Sequence, residues 1–437
     1  MSDLFAFEVH TPRCKAAQNL DERNRQRALK QHLTWVCGFV VIGAPLIIAS
    51  NRPVFWLFWI TVLSLAFIYY VMRSPANSNI FSALKTHKIL FFIGALLPTT
   101  AIFQALAGLS LTPDAALSGA MRLTGYLLFF LLVLELATKK QNAEALLWAI
   151  FLATSAHAIW AIFALAVLND FAIWGEKTAY AGAATGVFIN RNTFAMFLGM
   201  GLIAGIPLVI ARSTKSDVLS AKGLEKLCLC VCLGVIAMCI IATQSRMGIL
   251  STCVGCLVCI FCLQRHKTLQ SVLITIGIFL AGLVVMLLFW GGDVFQRLVF
   301  LKLDQIDRST LYLQMIDMII QRPYIGFGLN SFQLAFEQFQ APPMTMNLVW
   351  EYGHSSYLTN WLEYGLIIGS LPIALGLMVV CRLIKKNQIT APAIASLSLC
   401  AVHSTVDFGL EIPANMFVFL TLIGIGLASS DRKGVDQ

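Results

Sequence analysis

Charge is what this chain has least of. Only 12% of its 437 residues are Asp, Glu, Lys or Arg, roughly half the share carried by ordinary soluble domains. With 58% hydrophobic residues and a mean hydropathy of +0.78, that shortage excludes a disordered chain, a coiled coil and a string of soluble domains. A disulfide framework is missing as well. Of 12 cysteines, all but Cys14 lie inside apolar runs, where cysteine acts as a small hydrophobe. Cys253, Cys256, Cys259 and Cys262 imitate iron–sulfur spacing, yet the residues between them are apolar and no proline follows. The first 32 residues lack the apolar core of a signal peptide. No Asp-x-Asp or His-x-x-x-His pair falls on the expected outer face, so neither a metal nor another cofactor is expected.

What the chain does have is long apolar runs, several reaching the roughly 20 residues that cross a bilayer. They fall near 33–50, 54–72, 89–108, 115–137, 145–168, 187–211, 227–243, 247–263, 270–290, 355–381, 391–408 and 413–430. The expected fold class is therefore all-α, a polytopic integral membrane protein with about twelve transmembrane helices. Its parts are a basic tail (1–32), helices one to nine (33–290), a long loop (291–354), helices ten to twelve (355–430) and a short tail (431–437).

Lys and Arg split unevenly between the two sides, 22 against 6, with Arg122, Arg191 and Arg246 within or beside apolar runs. That bias predicts both termini in the cytoplasm and the long loop outside. It also accounts for the net charge of +9 without a nucleic-acid partner; membrane lipids are the expected surroundings. The loop carries an amphipathic stretch, Ser309–Gln321, a Pro/Gly break over 322–330, and a second short helix over Ser331–Gln340. An outer loop of this size commonly covers a site.

Arginine inside a membrane segment costs roughly 2.5–3.5 kcal/mol, so it generally faces a cavity, a partner or the interface. Arg191 stands between Asn190 and Asn192 at a helix start, and Arg246 follows Gln244 and Ser245. Arg122 lies a few residues into another run. Three guanidinium groups at one depth suit a phosphate on a hydrocarbon tail. Snorkelling to the headgroups is the plainer alternative, strongest for Arg122. His354 closes the long loop just before a helix and has the chemistry of a general base. Glu363, nine residues on, faces the same cavity or pairs with an arginine. His403 and Asp407, four apart on one helix face, read as a structural pair or as lining for a substrate path.

Several of these residues sit in motifs. The stretches 188–195 (Phe-Ile-Asn-Arg-Asn-Thr-Phe-Ala) and 243–248 (Thr-Gln-Ser-Arg-Met-Gly) come first. Arg308 then precedes 322–328 (Arg-Pro-Tyr-Ile-Gly-Phe-Gly), and 354–358 (His-Ser-Ser-Tyr-Leu) leads to Glu363-Tyr364-Gly365. In this order, from about 120 to 410, the chain resembles the O-antigen ligase family of bacterial inner-membrane proteins, which includes ligases, polysaccharide polymerases and protein O-oligosaccharyltransferases. The segment 402–408 with 412–415 looks like exopolysaccharide-associated members.

The resemblance implies a GT-C-like, metal-independent, inverting glycosyltransferase of the inner membrane with its site facing the periplasm. Its donor would be an undecaprenyl-diphosphate-linked glycan. Its acceptor would be a hydroxyl of lipid A–core or of a growing polysaccharide, with ligation in lipopolysaccharide biosynthesis as the first expectation and polymerisation as the second. Arg191 and Arg246 would hold the diphosphate, and His354 would be the base or a diphosphate contact. Arg122, Asn190, Asn192, Gln244, Ser245, Arg308, Tyr357, Glu363 and His403 would line the substrate. A lipid-linked glycan flippase is the rival from another class, though it would need charge along a path through both leaflets.

Overall fold

The computed structural model describes residues 12–74, 82–173, 175, 177, 179–211, 220–263, 277, 304–344, 349–385 and 391–433. The expected ninth helix (270–290), the start of the long loop with Arg297 and Lys302, the basic segments 212–219 and 264–268, and the ends of both tails lie outside these.

Helices make up most of the described chain. They are α1 (Pro12–Leu46), α2 (Pro53–Arg73), α3 (Ser82–Thr86), α4 (Lys88–Leu106), α5 (Pro113–Ala137), α6 (Lys140–Ala166), α7 (Arg191–Ala211), α8 (Ala221–Ala242) and α9 (Arg246–Leu263). After the undescribed stretch come α10 (Asp304–Gln321), α11 (Phe332–Phe339), α12 (Ser356–Gly369), α13 (Leu371–Lys385), α14 (Ala391–His403) and α15 (Pro413–Lys433). Among the described residues eight helices are long and apolar enough to cross a membrane, or nine if the bent pair α12–α13 is one span. The chain is thus a multi-pass membrane protein. Residues 33–46 of the expected run 33–50 are the C-terminal part of the 35-residue α1, which ends at Leu46, so the boundary at residue 32 falls inside one continuous helix.

Two expected helices are interrupted. The run 355–381 bends by 63° between α12 and α13. Within α12, Gly365 takes φ +78 and would press a Cβ onto the Tyr324 carbonyl at 2.5 Å, so only glycine fits there. The helix break frees the Leu362 and Glu363 carbonyls, which accept the Phe327 and Gly328 amides at 2.9 Å each. Gln104 Nε2 donates to the Ile325 and Glu363 carbonyls at 2.6 and 3.0 Å, tying this corner to α4. The run 391–408 likewise ends as a helix at His403. The chain turns there, and the Ser404 and Asp407 carbonyls receive the Ser356 amide at 3.1 and 3.3 Å.

One large core joins α1, α2, α5 to α9, α14 and α15 through Leu33, Phe129, Phe151, Phe197, Leu399 and Phe417. The two loop helices α10 and α11 were expected from the amphipathic pattern, and they bury their own small core of Leu311, Met315, Met318, Phe332 and Phe336. They pack onto α12. The described part of the long loop is therefore docked against α12.

Candidate active site

The site is assembled from helix ends. Asn190 caps α7, its Oδ1 accepting the Asn192 amide at 2.7 Å, so Arg191 becomes the first residue of that helix. At the corner expected over 243–246, Thr243 Oγ1 accepts the Ser245 amide at 3.2 Å and Gln244 adopts φ +54. Ser245 Oγ accepts the Gly248 amide at 3.1 Å, and Arg246 becomes the first residue of α9. Ser245 Oγ also donates to Asn192 Oδ1 at 2.8 Å. This bridge sets the two helix starts side by side, each with its arginine and its positive dipole end. The Arg191 guanidinium lies 5.3 Å over the Tyr180 ring, while Arg246 is exposed. Gln244 Nε2 donates to the Gly182 carbonyl at 3.0 Å, holding the preceding loop.

The other amide group of Asn192 reaches further. Its Nδ2 donates to Asp407 Oδ2 at 3.0 Å. Asp407 is almost fully buried, and burial pushes its carboxyl up to about 7, against the Asn192 hydrogen bond and the Arg308 charge. His354 stands in the same electrostatic neighbourhood. Burial and then Arg308 bring its imidazole down to about 4, so at neutral pH the ring is uncharged. Its backbone sits at φ +50, sparsely populated by non-glycine residues. The ring is clamped edge-to-face by Trp350 at 5.6 Å and Phe408 at 5.2 Å, and its carbonyl accepts the Tyr312 hydroxyl at 2.8 Å. Nδ1 of His354 has no hydrogen-bond partner among the described residues. The expected His403–Asp407 pair is a close approach of 3.9 Å and no hydrogen bond; His403 is fully buried.

Arg122 lies elsewhere. It donates to Asn330 Oδ1 at 3.1 Å and rests 5.8 Å over the Trp56 ring. Together with Tyr357 and Glu363 it lines a cavity of about 430 Å³. Glu363 Oε1 accepts the Phe332 amide at 3.3 Å, capping α11, and Tyr357 donates to the Ala401 carbonyl at 2.9 Å.

The fold thus brings Asn190, Arg191, Asn192, Ser245, Arg246, Arg308 and His354 to one end of the bundle, with Gln244 bracing its rim. Arg122, Tyr357 and Glu363 form a neighbouring group, and His403 sits behind Asp407. Sequence reasoning missed the role of Asp407 as the partner of Asn192, and missed Tyr180, Tyr312 and Glu411. The one signal available was a carboxylate at the end of an apolar run, which is costly unless partnered. Among the described residues no group of three or more His, Cys, Asp or Glu could hold a metal ion.

Residues 231–373 match a family described as O-antigen ligase. The matched stretch contains Ser245, Arg246, Arg308, His354 and Glu363 and stops short of Arg191, Asn192 and Asp407. No curated protein matches the chain.

Proposed function

We propose, from the premise that residues 231–373 are an O-antigen ligase family domain, that this chain is a membrane glycosyltransferase using a polyprenyl-diphosphate donor. The observation that carries the proposal is the bridge from Ser245 through Asn192 to Asp407, which joins the Arg191 and Arg246 helix starts to the His354 cluster. Two adjoining helix N-termini, each opening on a guanidinium, form a preorganised field for a diphosphate.

In the reaction the anomeric C–O bond to the diphosphate breaks and a bond to the acceptor hydroxyl oxygen forms. The bonding electrons leave on undecaprenyl diphosphate, whose growing charge Arg191 and Arg246 stabilise. Attack from the face opposite the diphosphate inverts the anomeric carbon. The acceptor's proton passes to His354, whose neutral ring is ready to receive it. An imidazole held near 4 is a weak base, and the cause is partly the Arg308 charge. A bound diphosphate offsets that charge and raises the proton affinity of His354 and of Asp407 together. Base strength therefore rises when donor is present. Lipid A–core in lipopolysaccharide ligation is the acceptor we favour, at the periplasmic face of a bacterial inner membrane; chain extension of a polysaccharide is the same chemistry with a different hydroxyl.

The test is transfer by the purified protein from a lipid-linked donor. Arg191→Ala and Arg246→Ala should each lower turnover by roughly 100-fold or more; retention of full activity by both removes the diphosphate assignment. Turnover of His354→Gln that matches the parent between about pH 6 and 9 would remove the base role. Supplying lipid A–core or free repeat units as acceptor separates ligation from polymerisation.

A further inference from the structure

The cavity beside Arg122 has no part in the chemistry above. It is a slot between α4, α5, α12, α13, α14 and α15, and its two ends differ. At one end lie Arg122, Asn330, Ser356, Glu363 and Glu411; from there the walls are Leu127, Phe130, Leu375, Val379, Phe419 and Ile423. The lining runs along α5 from Arg122 to Phe130, about 12 Å at 1.5 Å per residue. An apolar channel of that length with a cation at its mouth has the form of a lipid-chain site.

The charge at the mouth points to the headgroup. Arg122 makes no ion pair among the described residues; its contacts are the Asn330 amide oxygen and the Trp56 face. The two carboxylates nearby feel the Arg122 charge but spend their hydrogen bonds on other groups. Glu363 caps α11, and Glu411 accepts the Ser356 hydroxyl at 3.2 Å. Burial pushes Glu411 up to about 8, so it is mostly protonated at neutral pH and leaves the guanidinium charge uncompensated by it. A slot of this size takes one fatty chain, whereas a long polyprenyl tail would run on beyond it.

We propose that this slot binds one acyl chain of a phospholipid, with the lipid phosphate on Arg122 and Asn330. The site is separate from the Arg191–Arg246 pair, and its occupancy does not depend on any transfer reaction.

The experiment uses the full-length purified protein in detergent, with phosphatidylglycerol bearing a diazirine in its acyl chain as photolabel and the matching diacylglycerol as the neutral control. Labelling is expected within 123–130 and 416–423. Leu127→Trp and Leu375→Trp, which fill the slot from opposite walls, should abolish it. Arg122→Gln should weaken phosphatidylglycerol labelling about tenfold or more, as expected for loss of a charge-assisted bond, while leaving diacylglycerol unchanged. Because a tryptophan could disturb the bundle, the wild-type label map and Arg122→Gln stand as tests by themselves. Labelling confined to other segments, or equal labelling by the neutral lipid, overturns the proposal. Preference for a diazirine-bearing prenyl phosphate over phosphatidylglycerol overturns it too, and reassigns the slot to the donor's tail.

Discussion

The two ends of the helix bundle carry charged residues in opposite ways. At the lysine-rich end the buried Glu135 and His87 each have partners. Glu135 accepts Ser82 Oγ at 2.9 Å and the Ala83 amide at 2.8 Å, with Lys30 at 3.6 Å. His87 lies between Asp431 at 2.9 Å and Arg382 at 2.5 Å, linking the α3–α4 corner to α13 and α15. At the other end His354 Nδ1, Asp407 Oδ1 and Ser404 Oγ are buried without hydrogen-bond partners among the described residues, and burial raises the carboxyls of Asp407 and Glu411. Buried polar atoms are nearly always satisfied, so a cluster of exceptions marks where function outweighs stability. One end fastens the helices; the other leaves buried polar atoms unpartnered.

This contrast can be broken at either end. Glu135→Ala should produce the largest loss of stability, about 3 kcal/mol, because it strands a buried amide and a lysine; thermal melting in detergent measures it. Its turnover per folded molecule should stay at the parent level, and a selective loss of turnover would erase the distinction between the ends. Asp407→Asn should do the reverse. Turnover should fall roughly 100-fold, with melting unchanged or raised, because the variant removes a costly buried acid while keeping an amide opposite Asn192. A drop in melting temperature as large as that of Glu135→Ala would recast Asp407 as a fastener.

The pH dependence of stability gives a finer test. Asp407 and Glu411 have folded-state values near 7 and 8, above their ordinary ranges, so the folded protein binds more protons than the unfolded chain between about pH 4 and 8. Their contribution to stability is therefore complete below pH 4 and is lost as pH rises through 7 and 8. Glu411→Gln should flatten the upper part of that decline, read from melting curves across the range. The smallest expected effect is that of Asn190→Ala, about 1 kcal/mol from the lost cap of α7, with a modest fall in donor affinity as Arg191 loses its fixed start.

Much of this was legible in the chain itself. Helix positions follow from apolar runs because the bilayer admits few alternatives. Arg191 and Arg246 stood out because membrane depth makes each one costly, and His354 because a histidine closing the long loop has the chemistry of a base. The breaks at Gly365 and His403 were not legible, since each is set by a distant segment: 323–328 claims the carbonyls freed at the first, and Ser356 claims those at the second. Nor could sequence pair Asn192 with Asp407 across 215 residues, or separate Arg122 from the other two arginines.

The sequence by itself determined a membrane-embedded helical chain and a short roster of residues too polar for their surroundings. Those follow from local cost, residue by residue, in an apolar solvent. Only the tertiary structure decided how that roster divides, with two helix starts tied to Asp407 in one group and Arg122 over an apolar slot in another. Hydrogen-bond reach extends a few ångströms in space, and chain order does not specify which helix ends will meet.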